Sequence, residues 1–215
     1  MRVGIVGAGN VGVAVGRRLA ARGHAVAVSF SRTPEALAAA AAAIGGSARG
    51  VMPEEAALFA DVVLLATPWA ATLDALRPLA PALEGRIVWD ATNPLLPDMT
   101  GLALGTTTSG GEAVAAALPG ARVVKAVPPF AELLAAPSTA LGGRRPGVFV
   151  CGDDPAARSA VLALVADIDA DEVDAGPLRL ARCTEPLGLL LVQLAYVEGL
   201  GPRIGAALLR EDAHG

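Results

Sequence analysis

Short apolar runs alternate along this chain with longer, alanine-rich stretches. The runs Val3–Val6, Ala25–Phe30 and Val62–Ala66 have the length and composition of buried strands. The stretches between them, such as Pro34–Ala43, consist largely of good helix formers. This alternation predicts a doubly wound α/β fold, in which helices cover both faces of a parallel sheet.

The same pattern predicts the remaining elements. Further strands are expected at 86–90, 122–126, 147–151 and 172–175, and further helices at 13–21, 53–59, from Trp69 to Leu79, at 111–118 and from 155 to about 168. A loop rich in Pro, Gly, Ser and Thr at 131–146 is interpreted as a mobile segment or a domain edge. It separates a first domain, residues 1–146, from a smaller C-terminal α/β portion, residues 147–215. That portion ends in a long helix from Pro177 to about Leu209, which is bent near 199–202.

The first strand leads directly into a glycine-rich turn that opens a helix. The turn reads Gly7-Ala8-Gly9-Asn10-Val11-Gly12, and the next strand follows at the spacing of a βαβ unit. In this pattern the first glycine makes the tight turn, the second lets backbone amides approach a pyrophosphate, and the third allows close packing of helix on strand. The sequence therefore predicts a Rossmann-type dinucleotide-binding domain with its phosphates at the helix N-terminus.

The end of the second strand indicates which dinucleotide is bound. Sites for NAD place an acidic residue there to bind the ribose 2′-hydroxyl, whereas this chain has Ser29-Phe30-Ser31-Arg32. Ser31 can donate a hydrogen bond to a 2′-phosphate, and the planar guanidinium of Arg32 suits its oxygens. We therefore expect NADP(H).

The carboxyl ends of the later strands are the expected walls of the site, because ligands of open α/β sheets bind there. The predicted cofactor contacts at these ends are Thr67, Pro68, Trp69, Asn93 and Ala126. Beyond them an apolar slot for a second, planar molecule is expected between Trp69, the last helix and the loop after residue 126. Its predicted contacts are Pro128, Pro129, Phe130 and Leu187.

Few residues are placed to act as acids, bases or metal ligands. No Ser-His-Asp set, Cys-His set or metal-binding spacing is readable in the sequence. Lys125, at the end of a strand, either neutralises an anionic acceptor or is a structural lysine, and both interpretations stay open. Hydride transfer between two stacked rings agrees with this scarcity, because the cofactors carry the chemistry.

Composition narrows the range of partners. The formal net charge is −4, and no basic run indicates a nucleic-acid partner. No apolar stretch reaches the roughly 18 residues of a membrane span. Cys151 and Cys183 lie far apart without a CxxC motif, so both are expected to be reduced and buried in a cytoplasmic protein.

Several motifs together resemble one family, the NADPH-dependent reductases of the deazaflavin coenzyme F420. They comprise Met1–Gly12, His24, Ser31-Arg32, Pro68-Trp69, Val148–Asp154, Asp174–Leu178, Glu185–Leu187 and Gly201–Gly205. The resemblance covers nearly the whole chain, and its narrowest motifs are Cys151-Gly152-Asp153-Asp154 and Asp174-Ala175-Gly176-Pro177-Leu178.

That resemblance implies a homodimer in which the C-terminal portion forms one wall of a cleft. It also implies direct hydride transfer between the nicotinamide and the deazaflavin. By matching position, Ala8–Val11 and Ser31-Arg32 would bind phosphates, Thr67-Pro68-Trp69 would flank the nicotinamide ribose, and Ile204 would close on the nicotinamide.

Two other functions fit the same residues. One is an NADPH-dependent reductase of a small imine, ketone or flavin, which the same nucleotide-binding half would serve equally well. The other is a module that binds NADP(H) without turnover and uses its long apolar helix to contact a partner. A cleft between that helix and Pro128-Pro129-Phe130 favours an enzyme.

Overall fold

Eight strands form one sheet within residues 1–30 and 33–211, the part of the chain that the computed structural model describes. They are β1 (Arg2–Val6), β2 (Ala25–Ser29), β3 (Arg49–Gly50), β4 (Val62–Leu65), β5 (Ile87–Asp90), β6 (Arg122–Lys125), β7 (Gly147–Gly152) and β8 (Asp171–Gly176). The sequence pattern did not predict β3, which has only two residues.

The strand order is β3-β2-β1-β4-β5-β6-β7-β8. All neighbours are parallel except β6 and β7, which pair in opposite directions with Lys125 facing Cys151. The predicted doubly wound α/β fold with a small C-terminal portion is therefore confirmed. The two portions share this sheet, and the division at residue 146, directly before β7, stays a prediction.

Nine helices cover the two faces of the described sheet. They are α1 (Asn10–Ala21), α2 (Pro34–Ile44), α3 (Pro53–Phe59), α4 (Trp69–Leu76), α5 (Ala80–Leu83), α6 (Gly110–Ala117), α7 (Ala131–Ala135), α8 (Pro155–Asp167) and α9 (Ala181–Val192). Short 3₁₀ turns at Arg77–Leu79 and Leu178–Leu180 precede α5 and α9, and one turn of π-helix, Gln193–Val197, continues α9.

The strands bury alternate side chains on opposite faces, as the period of two requires. Val62 and Leu64 of β4 join a core cluster with α1, α2, α7 and α8, whereas Val63 and Leu65 pack against α3, α4, α5 and α6. Strands buried on both faces explain why their sequences are continuous apolar runs.

The last helix is shorter than the sequence pattern predicts. It ends at Val197, about three turns before Leu209, and residues 198–211 are not helical. Gly199 and Gly201 both have a φ of 76°, and Pro202 follows, so the chain cannot continue as a helix. The amide of Gly147 donates to the carbonyl of Ala206 at 2.7 Å, and this bond ties the final segment to the start of β7.

The segment 131–146 is more structured than the predicted loop. It begins with α7, whose Leu133 and Leu134 are fully or almost fully buried. Arg18 of α1 donates to the carbonyls of Leu134 and Ala136 at 2.8 and 2.6 Å. The sequence signal for α7 is the apolar pair Leu133-Leu134, which the overall Pro- and Gly-rich composition of the segment outweighed.

Candidate active site

The glycine-rich turn between β1 and α1 has the geometry of a phosphate cradle. Gly7 has a φ of 125°, and a Cβ at this position would overlap the carbonyl of Ala66. A Cβ on Gly12 would overlap the carbonyl of Gly7, so helix and strand approach too closely for any side chain. A Cβ on Gly9 meets nothing within 4 Å. The turn is therefore crowded at its two ends and open at its centre.

The open centre of the turn presents backbone amides. Gly9 is the N-cap of α1, and no side chain caps that end of the helix. The first amides of a helix have no partner within it, so the amides at this end are available to an anion. Ala8, which was predicted to bind phosphate, uses its amide to donate to the carbonyl of Phe30 at 3.2 Å.

Phe30 follows β2 and is the last described residue before position 31. Its φ is 63°, which is unusual for a bulky residue, and its side chain is exposed. The predicted 2′-phosphate ligands, Ser31 and Arg32, come next and lie outside the described residues.

A cavity of about 680 Å³ begins at this turn and follows the carboxyl ends of β4, β5 and β6. The last helix and the segment tied to β7 close its other side. Most of the predicted site residues line it, namely Gly9, Asn10, Val11, Thr67, Pro68, Trp69, Asn93, Pro128, Pro129, Phe130, Leu187 and Ile204. The structure thus brings cofactor and acceptor positions, predicted from distant parts of the chain, to one apolar slot.

The carboxyl end of β4 forms one wall of the slot. Pro68 caps α4, which begins at Trp69. The hydroxyl of Thr67 is buried and lies 2.9 Å from that of Thr72, so it stabilises the turn internally.

Asn93 lies at the opposite wall, after β5. Its Nδ2 donates to the carbonyl of Glu185 at 3.2 Å and packs against Gly188, where a Cβ would lie only 2.6 Å away. The Oδ1 of Asn93 and the Oγ1 of Thr184 are buried without a hydrogen-bond partner. Buried polar atoms without partners are costly, and two of them on the wall of an apolar cavity fit a ligand that carries an amide or hydroxyl group.

Lys125 and Ala126 do not line the cavity. The Lys125 ammonium is fully buried, 2.9 Å from Asp90, 3.0 Å from Glu185 and 2.6 Å from the Thr92 carbonyl. This geometry contradicts a lysine that faces an acceptor, because all three donors of the ammonium can be used inside the protein. Ala126 is also fully buried, and its carbonyl accepts from Trp89 Nε1 at 2.7 Å. The wall begins one residue later, at Val127.

Glu185 connects this buried ion cluster to α6. Its two carboxylate oxygens accept from the amides of Gly110 and Gly111, at 2.8 and 2.9 Å, in the first turn of α6. A carboxylate at a helix N-terminus is favourable, and here it also fixes α9 against β5 and β6. The cluster therefore positions the wall formed by α9.

Two wall residues that the sequence analysis missed are Tyr196 and Glu132. The Tyr196 hydroxyl lies 3.4 Å from both carboxylate oxygens of Glu132, and its ring meets Phe130 edge to face with centroids 5.5 Å apart. Burial, together with the adjacent Glu132 carboxylate, raises the pKa of the Tyr196 phenol. The signal for Tyr196 was that it is the one tyrosine of the chain.

The described residues contain no group of three or more His, Cys, Asp or Glu side chains that could hold a metal ion. Leu178–Val197 is long and apolar enough to cross a membrane by length and composition. Those criteria do not separate a membrane span from a helix that packs on a protein, and this one carries Glu185 into a buried ion cluster and lines the cavity.

The N-terminal part of the sequence, which carries the glycine turn, matches a known family, and two solved structures are similar over most of the chain. The profile of the family "NADP oxidoreductase coenzyme F420-dependent" matches residues 2–94. A crystal structure from Arthrobacter sp. FB24, assigned as an F420-dependent NADP reductase, is 29% identical, with a TM-score of 0.84 over 97% of this chain and 99% of that chain. A hypothetical protein, SMa0349 from Sinorhizobium meliloti, is 30% identical over 83% of this chain and 85% of that chain, with a TM-score of 0.71.

Residues 2–94 match the F420-dependent NADP oxidoreductase family, and the similarity to the Arthrobacter structure extends over nearly the whole chain. The resemblance seen in the sequence motifs is therefore confirmed, and the chain is an NADP-dependent oxidoreductase. An imine reductase from Streptomyces aurantiacus shares the fold at 19% identity and a TM-score of 0.66, over 92% of this chain and 64% of that chain.

Proposed function

We propose that the protein transfers a hydride between NADP(H) and the deazaflavin coenzyme F420. The observation that carries the proposal is the apolar cavity that runs from the open glycine turn to α9. Two ring systems that exchange a hydride need to be stacked, oriented and kept from water. Trp69, Phe130 and Leu187 supply apolar surface for that purpose at the place where the strands end.

The residues at the glycine turn and along the cavity walls hold and orient the two molecules. The amides at the start of α1 would bind the pyrophosphate, and Thr67-Pro68-Trp69 and Ile204 would enclose the nicotinamide ribose and ring. When it is bound, NADPH supplies the hydride. Asn93 offers a polar atom without a partner that an amide group of either molecule would satisfy.

Ser31 and Arg32 support NADP(H) over NAD(H) on sequence grounds. Charge-assisted hydrogen bonds to a 2′-phosphate contribute about 1.5–3 kcal/mol, which corresponds to a preference of at least about tenfold. Arg32→Ala should remove most of that preference and leave NADH kinetics nearly unchanged. Equal losses with both cofactors would contradict this assignment.

The test of the acceptor is a panel assayed with NADPH and NADH: F420, small imines and ketones, and flavins. Reduction of F420 is followed by the loss of its visible absorbance. Phe130→Ala should raise KM for the deazaflavin or lower kcat, while NADPH affinity stays within about twofold. Phe59→Ala, on an aromatic residue outside the cavity, is the control.

The outcomes separate the three candidate functions. Oxidised F420 that persists at saturating NADPH, together with turnover of an imine, ketone or flavin, would replace the proposal by a small-substrate reductase. NADPH binding without turnover of any acceptor would favour the non-catalytic module.

We further propose that the protein is a cytoplasmic homodimer. Exposed apolar side chains on and after α9, namely Leu190, Val197 and Leu200, support an interface with a second copy. Cys151 and Cys183 are both free thiols, which agrees with a reducing compartment, although Cys183 is exposed rather than buried as predicted.

A further inference from the structure

Tyr196 and Glu132 are the only titratable residues among the described residues that line the cavity. They come from different parts of the chain, Glu132 from the first turn of α7 and Tyr196 from the π-helical turn after α9. Their side chains meet at the rim, with the phenol oxygen 3.4 Å from each carboxylate oxygen. Hydrogen bonds of catalytic groups are commonly long before substrate is bound.

The π-helical turn itself fixes the position of Tyr196. Gln193, at the start of that turn, donates from Nε2 to the carbonyl of Met99, and the Phe130 ring meets the tyrosine ring at an interplanar angle of 85°. Insertions of a π turn into a helix are frequent at functional sites. The Phe130 ring packs against the Tyr196 side chain, which remains 46% exposed, so it contacts the cavity and water at once.

The proposed reaction needs a group of this kind. A hydride delivered to a polarised double bond forms one new C–H bond and leaves an electron pair on the heteroatom at the other end. Neutralising that pair requires one proton for each turnover, and general acids supply protons to such positions.

We propose that Tyr196 and Glu132 form a proton relay between the hydride acceptor and water. The proposal rests on the hydride transfer proposed above. In the direction of acceptor reduction, the Tyr196 O–H bond breaks and its proton forms an N–H bond on the acceptor ring nitrogen, which carries the electron pair. The exposed Glu132 carboxylate takes up a proton from water and passes it to the phenol oxygen. The acceptor gains two electrons and two hydrogens, and NADPH becomes NADP⁺. In the opposite direction the same protons move outward.

Tyr196→Phe isolates the hydroxyl, because it keeps the ring that contacts Phe130. In single-turnover reduction of F420 by bound NADPH, this variant should react about 100-fold more slowly, while its dissociation constant for NADPH is unchanged. Glu132→Gln should slow the reaction by a smaller factor, because water can still protonate the phenol. Glu198→Gln, on an exposed carboxylate outside the cavity, is the control and should react like the wild type.

A second measurement uses the free protein and requires no turnover. Tyr196 is the one tyrosine of the chain, so its ionisation can be followed by ultraviolet difference absorbance. The Glu132 carboxylate contributes to the raised pKa of the phenol. Glu132→Gln should therefore lower that pKa, whereas Glu198→Gln should leave it in place.

The outcomes distinguish this relay from the proposed function. Wild-type turnover with an unchanged rate in Tyr196→Phe would overturn the relay alone, as would a Tyr196 pKa that does not respond to Glu132→Gln. If the wild type reduces another acceptor of the panel but not F420, the F420 proposal fails, and the relay is decided by the same rate comparison with that acceptor. Wild-type protein that reduces no acceptor at all would overturn both.

Discussion

Gly9 caps α1 and faces open space at the mouth of the cavity. A Cβ there would meet nothing within 4 Å, but a valine side chain would occupy the volume where a pyrophosphate approaches the backbone. We expect Gly9→Val to abolish NADPH binding in a calorimetric titration and to leave the thermal midpoint nearly unchanged.

Gly105 provides the matched control, because a Cβ on this residue also meets nothing within 4 Å. It lies outside the cavity, so Gly105→Val should bind NADPH normally. An unchanged dissociation constant for NADPH in Gly9→Val would mean that the glycine turn does not bind the pyrophosphate.

The buried thiol of Cys151, near the end of β7, makes the free energy of unfolding depend on pH. Burial raises the pKa of its thiol from about 9 to about 11, and the nearby Thr184 and Lys125 oppose that rise. Above about pH 9 the thiol ionises in the unfolded chain and stays protonated in the folded one, so unfolding becomes more favourable. The contribution of Cys151 is therefore fully present below about pH 9 and is lost by about pH 11.

Urea unfolding across that range should show the effect as a difference between variants. Between pH 9 and pH 11 the free energy of unfolding should fall less in Cys151→Ala than in the wild type. The void left by the smaller side chain lowers the stability of the variant by the same amount at every pH, so it does not affect this comparison. Cys183→Ala, on an exposed thiol, should follow the wild type. Parallel curves for all three proteins would contradict the raised pKa.

Among secondary elements, the α3 helix was predicted with the bounds the structure gives, Pro53–Phe59, because a proline opens it and an apolar strand follows. Thr33 likewise caps α2, accepting from the amide of Ala36 at 3.1 Å. The C-terminal helix was predicted too long, because 3.6-residue periodicity continues past Val197 while the two positive-φ glycines decide the backbone.

Site residues could be predicted where a short stretch of sequence carries the signal for them. The glycine turn and the strand ends could be found because βα topology places them at one edge of the sheet. Glu132, Thr184 and Tyr196 could not, because their roles depend on how α7 and α9 pack across the cavity. Lys125 was ambiguous for the same reason: only the packing of α9 brings Glu185 within 3.0 Å of it.

The ion cluster of Lys125, Asp90 and Glu185 holds α9 against the sheet. Lys125→Met leaves two buried carboxylates without their cation, and removing one partner of a buried ion pair costs about 3–5 kcal/mol. We expect that loss in the free energy of unfolding measured with urea.

Arg145→Met provides the comparison, because the Arg145–Asp171 pair is 3.0 Å long but half exposed. Surface pairs of this kind contribute little, so this variant should unfold close to the wild type. A similar, small effect of both substitutions would show that the buried cluster does not hold the helix.

At the scale of the whole molecule, the proposed homodimer depends on the outer face of α9. Leu190 is 53% exposed there and does not line the cavity. A charge at the centre of an apolar interface is unfavourable, so Leu190→Glu should convert a dimer to a monomer in light scattering. Leu58→Glu, at a leucine with 54% exposure on α3, should leave the mass unchanged. A wild-type protein that is monomeric would end this proposal.

The reversal of direction between β6 and β7 brings the beginning of β7 to the edge where the parallel strands end. Pro146, Gly147 and Phe149 therefore reach the cavity, and Ala206, bonded to Gly147, lines it as well. The late part of the chain thus builds one wall of the cavity, whereas the glycine turn comes from the early part. Mutations that accumulate there can alter the range of acceptors while the nucleotide-binding half is inherited unchanged. For protein engineers, segments 146–149 and 204–206 are the natural pieces to exchange between relatives.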